Sequence, residues 1–320
     1  MSCRPALASG NPPDFAWQPP GGGITHQVTR PPLASDFRFS LCALVFLMPN
    51  LKNHAVHTFT NKPWNLQQCC EHYAEAGFGG VSIWRNVVAE DEGGVGLDEA
   101  VRIVKGSGLA VPAYVRGGFF PAGEAAKRQE SIDHNKKLLD EAAALGADQV
   151  VLVVGAVPGM PLNEARKQVS DGIAACLAHA ERVGVKLSIE PLHPMYAGDK
   201  SCINRMAEAR EVCERLQSKW LGIALDVYHC WWDPDLEVEV RLAGEQGTLF
   251  GYHVCDWRLE TRHMLTDRGL MGDGCIDIAG ITQLVRATGF TGPAEVEVFS
   301  EQYWAMDQAE YLKLIAERCA

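Results

Sequence analysis

From about His54 to the C-terminus, branched-apolar runs alternate with amphipathic stretches, and eight such units can be counted along the chain. The unit is about thirty residues, the length a strand followed by a crossover helix requires. Such alternation constrains the fold more than any other feature, because strands joined through helices run parallel and are covered by those helices. The strand candidates are HAVHTF from His54, GGVSIW from Gly79, AVPAYVRG from Ala110, QVVLVVGA from Gln149, KLSIEPL from Lys186, LGIALDVY from Leu221, LFGYHVCDW from Leu249 and AEVEVFS from Ala294.

Helix candidates lie between them. Asn65 is placed to cap the stretch that Gly77 ends, and Asp277 and Gly289 bracket another in the same way. LDEAVRIVKGSG, EAAKRQESIDHNKKLLDEAAALG, LNEARKQVSDGIAACLAHAERVG and INRMAEAREVCERLQ carry apolar residues at helical spacing. A doubly wound open sheet is the rival, but no GxGxxG turn follows the first strand and eight units suit closure. The expected fold is therefore an α/β protein of the (β/α)8 TIM-barrel type, which needs about 250 residues.

The chain has 320 residues, so the barrel is assigned to residues 51–320 and a Pro/Gly-rich N-terminal extension to residues 1–50. Residues 1 to 35 show no periodicity and read as disordered or loosely attached. The run FSLCALVFLM, Phe39 to Met48, is too short to span a bilayer and too far from the N-terminus for a signal peptide. It is expected to cover the barrel floor or to stand upstream of the barrel without catalytic purpose. No run of about eighteen apolar residues occurs, so no membrane partner is expected and the protein is assigned to the cytoplasm.

A net charge of -11 disfavours nucleic acid, whose backbone is held by clustered Lys and Arg. The eleven cysteines are scattered and form no CxxC, so they suit buried positions in a reducing compartment rather than a disulfide framework or a Cys-type zinc site.

Four residues end successive strand candidates: Glu190, Asp226, His253 and Glu297. In a barrel the strand ends form the active-site face. Two glutamates, an aspartate and a histidine gathered there make an oxygen-rich site for one divalent metal ion, Mn²⁺ by preference, with Mg²⁺, Co²⁺ or Zn²⁺ as alternatives. Arg116 ends the third strand beside two glycines and is placed to reach substrate oxygens or to form a rim salt bridge. His57 and His193 stand close enough to line the pocket. Trp64, Trp84, Trp231, Trp232 and Trp257 flank these motifs and offer aromatic faces to a sugar ring or simply pack. Asp256 is placed to be a further ligand, to orient His253 from behind, or simply to cap the next helix. Asp267, Arg268 and Asp273 belong to a Gly-rich loop, DRGLMGDG, suited to close over substrate.

The segments IEPLHPMYAGDKS, DVYHCWWDPDL, HVCDW, DRGLMGDGCIDI and EVEVFS, in this order, resemble the xylose-isomerase-like barrel superfamily of sugar isomerases and epimerases. That resemblance implies one metal held by Glu190, Asp226, His253 and Glu297. It also implies that Glu190 and Glu297 move the proton, that His229 and the looser match Arg258 bind substrate, and that homo-oligomers form. The implied activity is sugar isomerisation or epimerisation by proton transfer beside a carbonyl, through a metal-stabilised enediolate. A lyase or dehydratase acting on a keto-sugar, keto-inositol or 3-keto-glycoside would use the same first step. An AP endonuclease is disfavoured, because GAVPG stands where that family has His-Pro-Gly and DRG where it has Asp-x-His. Deleting residues 1–35 is expected to leave turnover unchanged; a large loss in a folded truncated protein would contradict the reading of that segment.

Overall fold

The computed structural model describes residues 51–319, and the predicted extension with its Phe39–Met48 run lies outside the described residues. Eight strands, β1 (His54–His57), β2 (Gly80–Trp84), β3 (Tyr114–Gly118), β4 (Gln149–Val153), β5 (Lys186–Ile189), β6 (Leu221–Asp226), β7 (Leu249–Val254) and β8 (Ala294–Val296), form a closed barrel. All pairs are parallel and follow chain order, and β8 returns to β1 with Ala294–Val296 beside His54–Val56. Closure excludes the open doubly wound sheet.

The crossovers carry α1 (Leu66–Ala76), α2 (Leu97–Ser107), α3 (Ala125–Leu145), α4 (Leu162–Val183), α5 (Met206–Leu216), α6 (Val227–Cys230), α7 (Leu236–Glu245) and α8 (Ile278–Ala287), with α9 (Glu301–Trp304) and α10 (Gln308–Arg318) after β8. Asn65 and Gln68 complete a capping box on α1, and Gly77 ends it in the left-handed region at φ 90°. Asp277 caps α8 by accepting from the Gly280 N–H, and Thr288 rather than Gly289 is its C-terminal cap. α5 begins three residues later than the Ile203 start of its predicted stretch. Asn204 spends its amide on the carbonyls of Leu192 and Ser201, which holds that segment as a loop. α7, in the β6–β7 crossover, and α10, after β8, lie where the periodicity singled out no helix.

The core has two layers. Outward-facing strand residues such as Val56, Ile83, Leu187 and Tyr252 pack against the helices in one large apolar cluster. Inside the barrel Ala113, Val115, Val151 and Ala224 form a small separate cluster under Trp84. The remaining interior is polar: Ser82 Oγ donates to Glu295 Oε2 at 2.5 Å, and Gln149 Nε2 donates to the Phe250 carbonyl at 3.1 Å. No described helix is long and apolar enough to cross a membrane. The nine described cysteines are free, and only Cys275 and Cys319 are not buried.

The end of β3 positions part of the rim. Gly118 adopts φ 106°, and a Cβ there would lie 2.0 Å from the Val153 carbonyl oxygen. Asn135 of α3 accepts from the Gly118 N–H at 2.7 Å and donates to its carbonyl at 2.8 Å, as a neighbouring strand would. Gly118→Ala is therefore expected to lower stability by about 3 kcal/mol, combining backbone strain with a clash against β4. Urea denaturation checks it, and an unchanged midpoint would contradict this account.

Candidate metal centre

Glu190 is the first residue past β5, Asp226 the last of β6, His253 the last but one of β7 and Glu297 the first past β8. Parallel strands bring these ends to one rim, and each side chain is buried. One donor atom from each of the four lies within 4.8 Å of the others. His253 Nδ1 is 2.9 Å from Glu190 Oε1 and 3.9 Å from Glu297 Oε2. Below them Glu295 faces both histidines, with Oε2 at 3.5 Å from His57 Nε2 and Oε1 at 3.9 Å from His253 Nε2. His57 Nδ1 accepts from Trp84 Nε1 at 3.1 Å and lies 3.2 Å from Glu297 Oε1. An indole N–H only donates, so His57 Nδ1 accepts from Trp84, and Nε2 is the nitrogen that faces Glu295.

The electrostatics show an excess of negative charge at one point. Burial raises the Asp226 carboxyl to about 7, the charges of Glu297 and Glu190 add to it, and Arg268 and His253 oppose. For His253, burial works to lower the pKa, but the bond to Glu190 and the charges of Glu295 and Glu297 outweigh it and lift the ring to about 10. Burial likewise works to raise Glu297, yet His57, Arg268 and His253 hold it at about 2. His229 is kept well below the ordinary histidine range by burial and by Arg268. It is thus neutral; its Nδ1 accepts from the His193 N–H at 3.2 Å, and its Nε2 lies 3.3 Å from Arg268 Nη2, which can only donate.

Arg268 answers that excess. It is 2% exposed, held between the rings of Tyr228 and Phe299, and its Nη1 lies 3.0 Å from both Asp226 Oδ2 and Glu297 Oε2. A cation thus stands where the carboxylates converge. The donor set, two glutamates, an aspartate and a histidine, is one that suits a divalent metal, so these residues fit the group expected from the sequence.

The loop that carries Arg268 is tied down by Asp256. This buried carboxylate accepts from the N–H groups of Trp257, Gly272, Gly274 and Ile276 at 2.8 to 3.0 Å. Gly274 has no room for a side chain, since a Cβ would lie 1.9 Å from the Trp257 oxygen. Asp256 is therefore neither the backing of His253 nor a helix cap; it organises the Gly-rich loop. The same loop roofs the pocket: the Met264 carbonyl accepts from the hydroxyls of Tyr196 and Tyr228, each at 2.9 Å. Beneath it a cavity of about 50 Å³ is lined by Trp84, Arg116, Glu190, His229, Arg268 and Glu297, among others. That holds a few waters and is well below the roughly 300 Å³ of an ordinary small-molecule site.

The profile of the xylose isomerase-like TIM barrel family matches residues 70–315. The chain belongs to that family. The solved structure of protein SMc04130 from Sinorhizobium meliloti 1021 is 42% identical, with a TM-score of 0.80 over 84% of this chain and 97% of that one. The inosose isomerase of Bacillus velezensis is 24% identical over 213 residues, 65% of this chain and 73% of the relative. The 3-dehydroshikimate dehydratase of Pseudomonas aeruginosa is 26% identical over 249 residues, 75% of this chain but only 37% of that longer protein. The family's named relatives are thus enzymes, isomerases and a dehydratase among them.

Within this xylose isomerase-like barrel, the other residues singled out from the sequence are distributed unevenly. His229 and Arg116 line the rim cavity. Arg258 does not; its Nη1 donates to Gln302 Oε1 at 2.7 Å and its guanidinium lies over Tyr303. His193 packs between Trp232 and Trp257 and reaches the site only through its backbone N–H. Trp231 packs near Trp257 in the outer core, whereas Trp84 and Phe299 wall the cavity. Arg268 was legible only as part of a glycine-rich loop. Glu295 had a signal in the E-V-E alternation, which turns residues 295 and 297 to the same side of the strand.

Asp256→Ala is expected to lower stability by about 3 kcal/mol, since it strands several buried N–H groups, and to raise amide exchange across residues 269–276. Urea denaturation and hydrogen exchange check this; a loop protected as in the parent protein would contradict it.

Proposed function

We propose that this protein is a metal-dependent isomerase or epimerase of a keto-sugar, which transfers a proton at a carbon beside the carbonyl. The observation that carries the reading is the convergence of Glu190, Asp226, His253 and Glu297 at one buried point, with two of the glutamates opening into the rim cavity. These four residues would hold one divalent ion, which would act as a Lewis acid toward the negative charge that develops on the substrate oxygens. Mn²⁺ is the first ion to test, with Zn²⁺, Mg²⁺ and Co²⁺ beside it.

Glu190 and Glu297 enter the cavity from β5 and β8, different sides of the barrel, so one can take the substrate proton and the other return one. His229, which lines the cavity, would turn its Nε2 edge to a substrate oxygen once Arg268 Nη2 moves away from it. Arg268, whose Nη1 now lies 3.0 Å from Asp226 and Glu297, would turn its guanidinium to the developing negative charge. The Tyr196 and Tyr228 bonds to the Met264 carbonyl would open to admit substrate and close to exclude water.

A dehydratase is the second reading. Its first step is the same, followed by protonation of a leaving oxygen in place of reprotonation at carbon.

Proton NMR in D₂O, with metal-reconstituted protein and a panel of ketoses, keto-inositols and 3-keto-glycosides, tests both. Deuterium beside the carbonyl with a new stereoisomer is expected; loss of water selects the dehydratase, and no exchange with any compound refutes proton transfer. Glu297→Gln is expected to lower turnover by about 10²- to 10⁴-fold while the fold remains. Asp226→Asn should weaken binding of Mn²⁺ in calorimetry at least about tenfold, and equal affinity would remove Asp226 from the ligand set.

A further inference from the structure

The cavity carries a cation that the proton-transfer reading leaves without a task. Arg116 is the one exposed residue of β3, whose other four residues are buried, and it lines the cavity together with Glu190 and Glu297. Among the described residues it makes no side-chain hydrogen bond or ion pair; its guanidinium rests on aromatic faces instead, 4.9 Å from the Phe119 ring centre and 5.8 Å from that of Trp84. Other arginines near the rim behave differently. Arg268 holds Asp226 and Glu297, and Arg205 holds Asp233 and Asp235.

The seat of Arg116 is built rather than incidental. Phe119 adopts φ 54°, a left-handed conformation uncommon for a bulky residue, which places its ring under the guanidinium. Ser131 Oγ holds that backbone by donating to the carbonyls of Gly118 and Phe119 at 3.1 and 3.0 Å. Asn135 ties Gly118 on its other side. Gly155 packs so closely beneath that a Cβ would meet the Phe119 Cα at 2.8 Å. A second cation, Lys200, lines the same cavity, and its only ion pair among the described residues is a partly exposed one with Asp199 at 3.3 Å, of a kind that contributes little.

From this we infer that the keto substrate carries an anionic group, a carboxylate or a phosphate monoester, which binds against the flat face and fork of Arg116 with Lys200 assisting. A planar fork restrained by aromatic stacking matches either oxyanion in a bidentate pair. Such charge-assisted bonds are about twice as strong as those to a neutral hydroxyl, which is what would separate acidic from neutral sugars here. The inference rests on the proton-transfer reading for the identity of the reacting end, and assigns the other end.

The test uses three ketohexose probes that differ in charge, D-fructose, D-fructose 6-phosphate and 5-keto-D-gluconate, with full-length Mg²⁺-loaded protein. Calorimetry gives affinity, and deuterium exchange by NMR gives turnover separately. At least one acidic probe is expected to bind tenfold or more tightly than fructose. Arg116→Ala should reduce that ratio at least tenfold, and Arg116→Lys should restore part of it. Binding of fructose as tight as that of both acids, absence of binding by either acid at 10 mM, or an unchanged ratio in Arg116→Ala would overturn the inference. Arg116-dependent binding of an acid without exchange by any probe or panel compound would instead contradict proton transfer and leave the anion seat standing.

Discussion

The pairing of β8 with both β7 and β1 is the contact on which the site depends. β8 is only three residues long, yet it joins Glu295–Val296 to His253–Val254 on one side and Ala294–Val296 to His54–Val56 on the other. Alternation along the strand then turns Glu295 and Glu297 inward and Val296 outward. His57 and His253 reach the same interior from the flanking strands, where their rings meet edge to face at 4.8 Å. Without closure these four groups would have no common neighbourhood.

Closure also concentrates charge. Glu190, Asp226, Glu295 and Glu297 are all nearly excluded from solvent. A buried charge left unpaired costs several kcal/mol, so such a cluster persists only with cations among its members. Arg268 and His253 supply them in this state, while burial above all, with Glu297 and Glu190 adding to it, still lifts Asp226 to about 7. A rim with this excess is suited to take up a divalent cation, and the same charge that disfavours the bare site favours the loaded one.

Stability and chemistry are held in different layers. The apolar packing between strands and helices fixes the cylinder, while the loops at its rim are fixed by polar ties: Asp256 for the Gly-rich loop, Asn135 and Ser131 for the Arg116 turn, and two tyrosine hydroxyls for Met264. The tyrosine ties are few and partly buried, the kind that can open without disturbing the cylinder.

The sequence by itself determined the barrel and the four strand-end residues, because a period of two within a strand and a strand–helix repeat of about thirty residues are local properties that survive without a partner. It also marked Arg116 by its position at a strand end, and His229 through the resemblance of DVYHCWWDPDL to the family. Tertiary structure alone decided between Arg258 and Arg268, since their distances from the carboxylates depend on how a long loop folds back over the rim rather than on spacing from His253. It likewise decided that Asp256 binds backbone N–H groups, that Trp84 rather than Trp231 faces the cavity, and that Arg116 stacks on Phe119. Each of these rests on contacts between segments far apart in the chain or on a single unusual φ, and neither leaves a periodic trace in the sequence.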